Sequence, residues 1–134
     1  MLTRGKTLTE ELSYAACALD CEGSVTLSRT APKPKQVNLH VAISIANTNK
    51  ILVDFLHSTF GGNVYSESPR GLSKKVIYRW KIHSCQAAEF LRKVHPYVRL
   101  KRKQVGLALF AQNLLSSGRV LSHAAKDGLW QAMK

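Results

Sequence analysis

The sequence predicts an α+β domain ordered α-β-β-α-β-β-α, with additional C-terminal helices. Three observations lead there. Leu8, Leu12, Ala15 or Ala16, and Leu19 recur at helical spacing and stop at Gly23. Val37, Leu39, Val41, Ile43 and Ile45 alternate with Asn38, His40, Ala42 and Ser44, the pattern of a half-buried strand. Two further helical stretches open on capping residues, at Asn47-Thr48-Asn49 and at Ser84, with short strand signals between them. At 134 residues this is one domain with a real core. It spans 1–134, with the core at about 7–117 and a last helix at about 119–133.

Thr7 and Glu10 have capping-box spacing, which starts the first helix at Thr7. In the strand after Gly23, Val25 and Leu27 face one side, and Ser24, Thr26 and Ser28 the other. Ala31-Pro32-Lys33-Pro34-Lys35-Gln36 reads as a loop, because two prolines interrupt ladder donors. The second helix carries Ile51, Leu52, Phe55, Leu56 and Phe60 and ends at Gly61-Gly62. Val64-Tyr65 and Val76 to Ile82 are strands, joined around Pro69, Arg70 and Gly71. Ser84 caps the next helix, and Pro96 interrupts it. A helix from about Val98 to Ser117-Gly118 and a short one from Val120 to Met133 complete the order.

Lys and Arg number 20 against 8 Asp and Glu, a net charge of +12. The excess recurs along the chain rather than sitting in a tail, which points to polyanion binding, nucleic acid first. A solvated basic face is the plainer alternative. Cys17, Cys21 and Cys85 lack zinc-knuckle spacing, and their odd number does not suit a secreted disulfide scaffold. They read as small, soft, mostly buried residues in a reducing compartment. No apolar run is long enough to span a bilayer, and the N-terminus does not have the pattern of a signal peptide. No organic cofactor is indicated.

The segment Ala15-Ala16-Cys17-Ala18-Leu19-Asp20-Cys21-Glu22-Gly23 resembles the nine-residue motif of the LAGLIDADG homing endonucleases, in their single-motif form. Ala16, Leu19, Asp20, Glu22 and Gly23 match; Ala15, Cys17, Ala18 and Cys21 depart. Supporting segments follow at family spacing: Asn47-Thr48-Asn49, Phe60-Gly61-Gly62, Tyr78 to Ile82, and Pro96 to Gln104. The resemblance covers roughly residues 9 to 115.

It implies a homodimeric, sequence-specific endonuclease that cuts both strands of a long, near-palindromic DNA site, in the homing of an intron or intein. Phosphodiester hydrolysis needs an activated water and a stabilised leaving oxygen, which divalent ions supply. The implied ion is Mg²⁺, or another divalent cation such as Mn²⁺ or Ca²⁺. By resemblance Glu22 is the metal ligand, and the Gly23 carbonyl is a candidate backbone ligand. A carboxylate at a helix C-terminus is disfavoured by the dipole, itself a mild sign of a cation nearby. Asp20 matches a mostly structural residue, and Lys101 a basic residue near the scissile phosphate. Asn47 falls near a polar residue that orders catalytic water, although a helix cap explains it equally well. Ala16, Cys17, Asp20 and Cys21 are expected at the subunit interface.

Base reading is expected from strand positions turned away from the core, since a β-ribbon fits the major groove. These are Thr26, Ser28, Thr30, Asn38, His40 and Ser44, then Tyr65, Glu67, Lys75, Ile77, Arg79 and Lys81. Arg29, Lys33, Lys35, Arg70 and Lys74 near the hairpin loops are expected to meet backbone or outer bases, with Arg99 and Lys103 on phosphates. A merely soluble sheet face has the same alternation. The competing reading is a non-cleaving nucleic-acid binder of the same fold, an intron RNA maturase or a DNA-binding regulator. A basic structural RNA-binding domain is the third. The expected setting is intracellular: bacterial or phage-infected cytoplasm, or an organelle.

Overall fold

The computed structural model describes residues 4–33, 36–68, 75–116 and 123–132; for 4–8, 29–33, 36–38, 123 and 127 it describes the backbone alone. The order is α1 (Arg4–Glu22), β1 (Gly23–Lys33), β2 (Gln36–Asn47), α2 (Lys50–Phe60), β3 (Asn63–Glu67), β4 (Ile77–His83), α3 (Ser84–Val94), α4 (Arg102–Ser116) and α5 (His123–Ala132). This is the α+β order read from the sequence.

α1 begins at Arg4, so Thr7 lies inside the helix and is not its cap. No proline stops the helix from extending ahead of Thr7, and Arg4 and Lys6 are good helix formers. Leu12, Ala15, Ala16, Ala18 and Leu19 are buried, whereas Ser13, Tyr14, Cys17 and Cys21 are exposed. Tyr14 still rests edge-on against Phe55 of α2, ring centroids 5.0 Å apart.

The four strands form one sheet in the order β1-β2-β4-β3, with every neighbouring pair antiparallel. The segment expected to be a loop from Ala31 is strand as far as Lys33. Pro32 is tolerated because β1 is an edge strand, and the ladder skips between Thr30 and Lys33. Period two then sorts the side chains. Val25, Leu27, Val41, Ile43, Ile45, Trp80 and Ile82 all point to the helical side and are buried. The ladder with β4 covers β2 only from Ala42 to Asn47. Next to it, the Val41 amide donates 3.3 Å to Oε1 of Gln112, a buried polar side chain on α4.

The turn from α2 to β3 is made by glycine. Gly61 and Gly62 have φ of 77° and 90°. A Cβ on Gly62 would lie 2.4 Å from Cγ2 of Ile82. The turn lets Trp80, wholly buried between Phe60 and Phe90, donate its indole N–H to the Gly61 carbonyl at 2.7 Å. Asn49 caps α2, accepting from the Ile51 amide at 2.9 Å.

Two boundaries differ from the sequence reading. Ser84 is not a cap: His83 holds that place, and Ser84, the first residue of α3, takes a left-handed φ of 57°. β4 runs into α3 with no loop, so one residue absorbs the change of direction. The fourth helix starts at Arg102, not near Val98. Tyr97 and Val98 amides both bond back to the Val94 carbonyl, and the Arg99 and Lys101 amides that follow bond to Asp20 of α1. Leu129 and Trp130 of α5 close on the core.

Candidate catalytic centre and nucleic-acid interface

The two acids at the end of α1 have opposite surroundings. Asp20 accepts the Arg99 amide at 2.8 Å through Oδ2 and the Lys101 amide at 3.1 Å through Oδ1. Lys101 returns the contact, its Nζ donating to the Asp20 carbonyl at 2.6 Å. Partial burial pushes the Asp20 carboxyl up, but the amides of Arg99, Lys101 and Leu100 and the Lys101 charge outweigh it, and the net shift is down. Both oxygens are thus committed to the bend that precedes α4. That bend exists because its amides are spent on Asp20 rather than on a helix.

Glu22, the last residue of α1, is exposed, with no hydrogen bond or ion pair among the described residues. Gly23 follows at once as the first residue of β1, paired with Ile45. A Cβ there would sit 2.9 Å from both Cδ1 and O of Leu19. The helix can therefore switch to strand without a loop only at glycine, and the switch holds Glu22 at the sheet's rim. Asn47 lies two residues beyond Ile45, at the same end of the sheet. Its Oδ1 accepts the Asn49 amide at 2.8 Å, so that oxygen is already used in leading the chain into α2.

The face of the sheet away from the helices carries polar and basic side chains. Ser24, Ser44, Lys81 and Asn63 form one row across the four strands; Thr26, Ala42 and His83 form the next, and Ser28 faces His40. Arg79 joins three strands: its Nε donates to Glu67 at 2.8 Å and its Nη1 to Ser44 at 3.0 Å. Lys81 stands 5.8 Å from the centroid of the Tyr65 ring. A shallow groove runs along this face, lined by Thr26, Ser28, His40, Ser44, Arg79 and Lys81 together with Ser24 and His83.

No family model matches the sequence, and no curated protein matches it. Solved structures do. I-CvuI, a homing endonuclease in complex with its target in 2 mM Ca, matches with a TM-score of 0.71 at 14% identity, over 96% of this chain and 78% of that one. The same enzyme with another target in Mg, its DNA uncleaved, gives 0.66 at 15%, over 95% and 96%. Archaeal intron-encoded I-Vdi141I complexed with DNA gives 0.70 at 17%, over 93% and 82%. The chain has the LAGLIDADG homing-endonuclease fold.

Within that fold the sequence-derived positions sort as follows. Thr26, Ser28, His40, Ser44, Tyr65, Glu67, Ile77, Arg79 and Lys81 share the outer sheet face. Lys75 does not, because β4 begins at Ile77; it lies in a depression with Thr48, Asn49 and Lys50 at the start of α2. For Arg29, Thr30, Lys33 and Asn38 only backbone register is described: Arg29 opposite Leu39, Thr30 opposite Asn38, Lys33 opposite Gln36. Lys35, Arg70 and Lys74 lie outside the described residues. Arg99 and Lys103 are exposed around the start of α4.

The expectation of buried cysteines is overturned: Cys17, Cys21 and Cys85 are all exposed. Alanines and Leu19 fill the inner side of α1, leaving the thiols on its uncovered strip. A hydrogen bond with Cys17 raises the Cys21 thiol, with smaller contributions from Asp20 and Glu22. Ala16, expected at a subunit interface, is fully buried inside the protomer and has no surface to offer a partner. Asp20, Cys17, Cys21 and Ser13 instead line an open depression with Tyr97, Leu100 and Arg102.

Sequence reasoning put Ser24 on the outer face without counting it as a base reader, and missed Asn63 and His83 there. The alternation that placed Arg79 and Lys81 there extends to His83 once β4 is carried one residue further. No group of three or more His, Cys, Asp or Glu that could hold a metal occurs among the described residues. The exposed oxygen donor at the α1–β1 junction is the Glu22 carboxylate, a hard ligand, with the Gly23 carbonyl next to it in the chain. That set suits Mg²⁺ or Ca²⁺, which accept few protein oxygens and fill the rest with water or phosphate.

Proposed function

We propose that the protein is a homodimeric, sequence-specific DNA endonuclease that makes a divalent-metal-dependent double-strand break in a long, near-palindromic site, in the homing of an intron or intein. The observation that carries this reading is the split fate of the two acids. Asp20 is consumed by the scaffold, and Glu22 is left free at the rim of a basic, polar sheet face. The DNA complexes of I-CvuI and I-Vdi141I, which share the fold, and the Ca and Mg present with I-CvuI support it.

Glu22, with the Gly23 carbonyl, would hold the ion. When bound, the metal supplies Lewis acidity at phosphate and a lowered pKa for its water. Lys101, its ammonium held on the Asp20 carbonyl two residues before Glu22 in the chain, would present positive charge to the scissile phosphate. Asn47, with one amide oxygen already engaged, keeps its amide nitrogen for a water or phosphate at the same rim. The outer sheet face presents donors to base edges, and exposed basic side chains, Arg99 and Lys103 at the start of α4 among them, would neutralise phosphates.

The donor count supports dimerisation. One free carboxylate is a thin ligand set, so a second copy brings the second. The exposed Ser13-Cys17-Cys21 strip recurs every four residues along α1 and is built of small side chains. Small residues let two helices approach to about 8 Å between axes. Leu100, 77% exposed beside this strip, gives the contact an apolar margin. An isologous contact of this kind makes the DNA site twofold.

The test is selection of duplexes from a random library, followed by cleavage of the winner in supercoiled plasmid with Mg²⁺. The expected result is one linear product that disappears with EDTA. Selection of a tight site that is never cut in Mg²⁺ or Mn²⁺ would instead favour a non-cleaving binder of this fold.

A further inference from the structure

The outer sheet face holds a pair of residues that neither cleavage nor phosphate neutralisation uses. His40 on β2 and His83 on β4 meet edge to face, ring centroids 5.8 Å apart and planes at 67°. They are not direct partners, since His40 faces Ser28 and His83 faces Ala42. The rings meet on the diagonal, over the small Ala42 side chain, where long or aromatic side chains can still touch. Both line the groove between β1, β2 and β4.

The groove is rich in donors. Among the described residues, the charged groups facing the pair are Lys81 and Arg79, both on β4. β1 contributes only hydroxyls, from Ser24, Thr26 and Ser28, and β2 adds Ser44. The carboxylate on this face, Glu67 of β3, is held by Arg79 at 2.8 Å. A surface of this kind matches acceptors. In the major groove guanine shows two, N7 and O6, whereas adenine pairs one acceptor with a donor.

We propose that His40 and His83 together form a base-reading element that selects guanine in each half-site and takes up a proton on doing so. The inference rests on the DNA-binding reading above. Burial, and then the neighbouring His83 ring, lowers His40 below the ordinary histidine value, so the free protein carries it neutral at pH 7. A neutral imidazole donates from one nitrogen only; the protonated ring donates from both. Guanine acceptors and surrounding phosphates favour the protonated form. The bound state therefore holds more protons than the free state, and affinity rises as pH falls through the histidine range. Each unit by which DNA raises the pKa is about a tenfold gain in affinity.

The experiment measures binding of the full chain to its library-selected duplex by fluorescence anisotropy between pH 5.5 and 8.5. Wild type is compared with His83→Gln and His40→Gln/His83→Gln, and selection is repeated with each variant. The expected results are a conserved guanine in the wild-type site whose preference relaxes in the variants, and about a tenfold pH effect that flattens. Binding to an unrelated duplex is the reference and should fall less than binding to the selected one. A DNA-side measurement needs no variant: 7-deazaguanine at that position, bound by wild-type protein, should cost about tenfold and remove the pH effect. Unchanged selection and an unchanged pH profile in the variants, or no cost from the deaza base, would overturn the proposal while leaving the nuclease reading intact. Failure of the wild type to select any sequence would overturn both.

Discussion

The end of α1 and the outer face of the sheet are held together by different means. At the end of α1 the order comes from the main chain: Asp20 takes two backbone amides of the bend before α4, and Gly23 permits a helix-to-strand switch without a loop. On the outer face the order comes from side chains, Arg79 between Glu67 and Ser44 and His40 against His83. At the end of α1 one partner in each bond is a backbone amide, so only Asp20 can be exchanged, whereas on the outer face both members of each pair can. A chemical centre gains from the first arrangement and a recognition surface from the second. On the proposed endonuclease reading, the same scaffold would keep its reaction geometry while its sequence preference changes.

Ways to break the comparison are ordered by expected size. Glu22→Gln should reduce Mg²⁺-dependent cutting to background, with binding to the selected duplex within about threefold of wild type; retained cutting would remove Glu22 from its proposed place. Trp80→Ala, beneath the sheet's outer face, should cost about 3–5 kcal/mol in urea unfolding, because it empties a fully enclosed site and strands the Gly61 carbonyl.

Asp20→Asn should cost a smaller amount, about 1–2 kcal/mol, since its amide partners are partly solvated. Its pH dependence has a definite sign. The folded carboxyl titrates below the ordinary 3.8, so its contribution is present above that value and fades as pH falls through the folded value. The stability gap between wild type and Asp20→Asn, followed from pH 6 to pH 3, should narrow; a constant gap would show that charge plays no part. Arg79→Gln comes last, below about 1 kcal/mol in stability because its ion pair is about one-third exposed. It should still weaken DNA binding measurably, which separates a recognition residue from a structural one.

Some of this was legible one residue at a time. The strand alternation assigned Val25, Leu27, Val41 and Ile43 to the core, and so assigned Thr26, Ser28, His40 and Ser44 to the other face. The motif resemblance drew attention to Glu22 and Asp20 and gave them different roles. The boundaries were less legible. Thr7 had the right spacing for a cap but lies within α1, and Pro32 had the mark of a loop but lies in an edge strand. Both are local signals that neighbours beyond the local window override.

The sequence by itself determined the order of elements, the two faces of the sheet and the segment bearing the acids, because these follow from periodicity and composition, properties of the chain taken along its length. Only the tertiary structure decided which acid was free, which face of α1 carried the thiols and which histidines met. Asp20 is committed by residues about eighty positions away, the cysteines are exposed because alanines face the core instead, and His40 reaches His83 only once β2 lies beside β4. Such pairings depend on which distant segments become neighbours, and spacing along one strand or helix does not encode that.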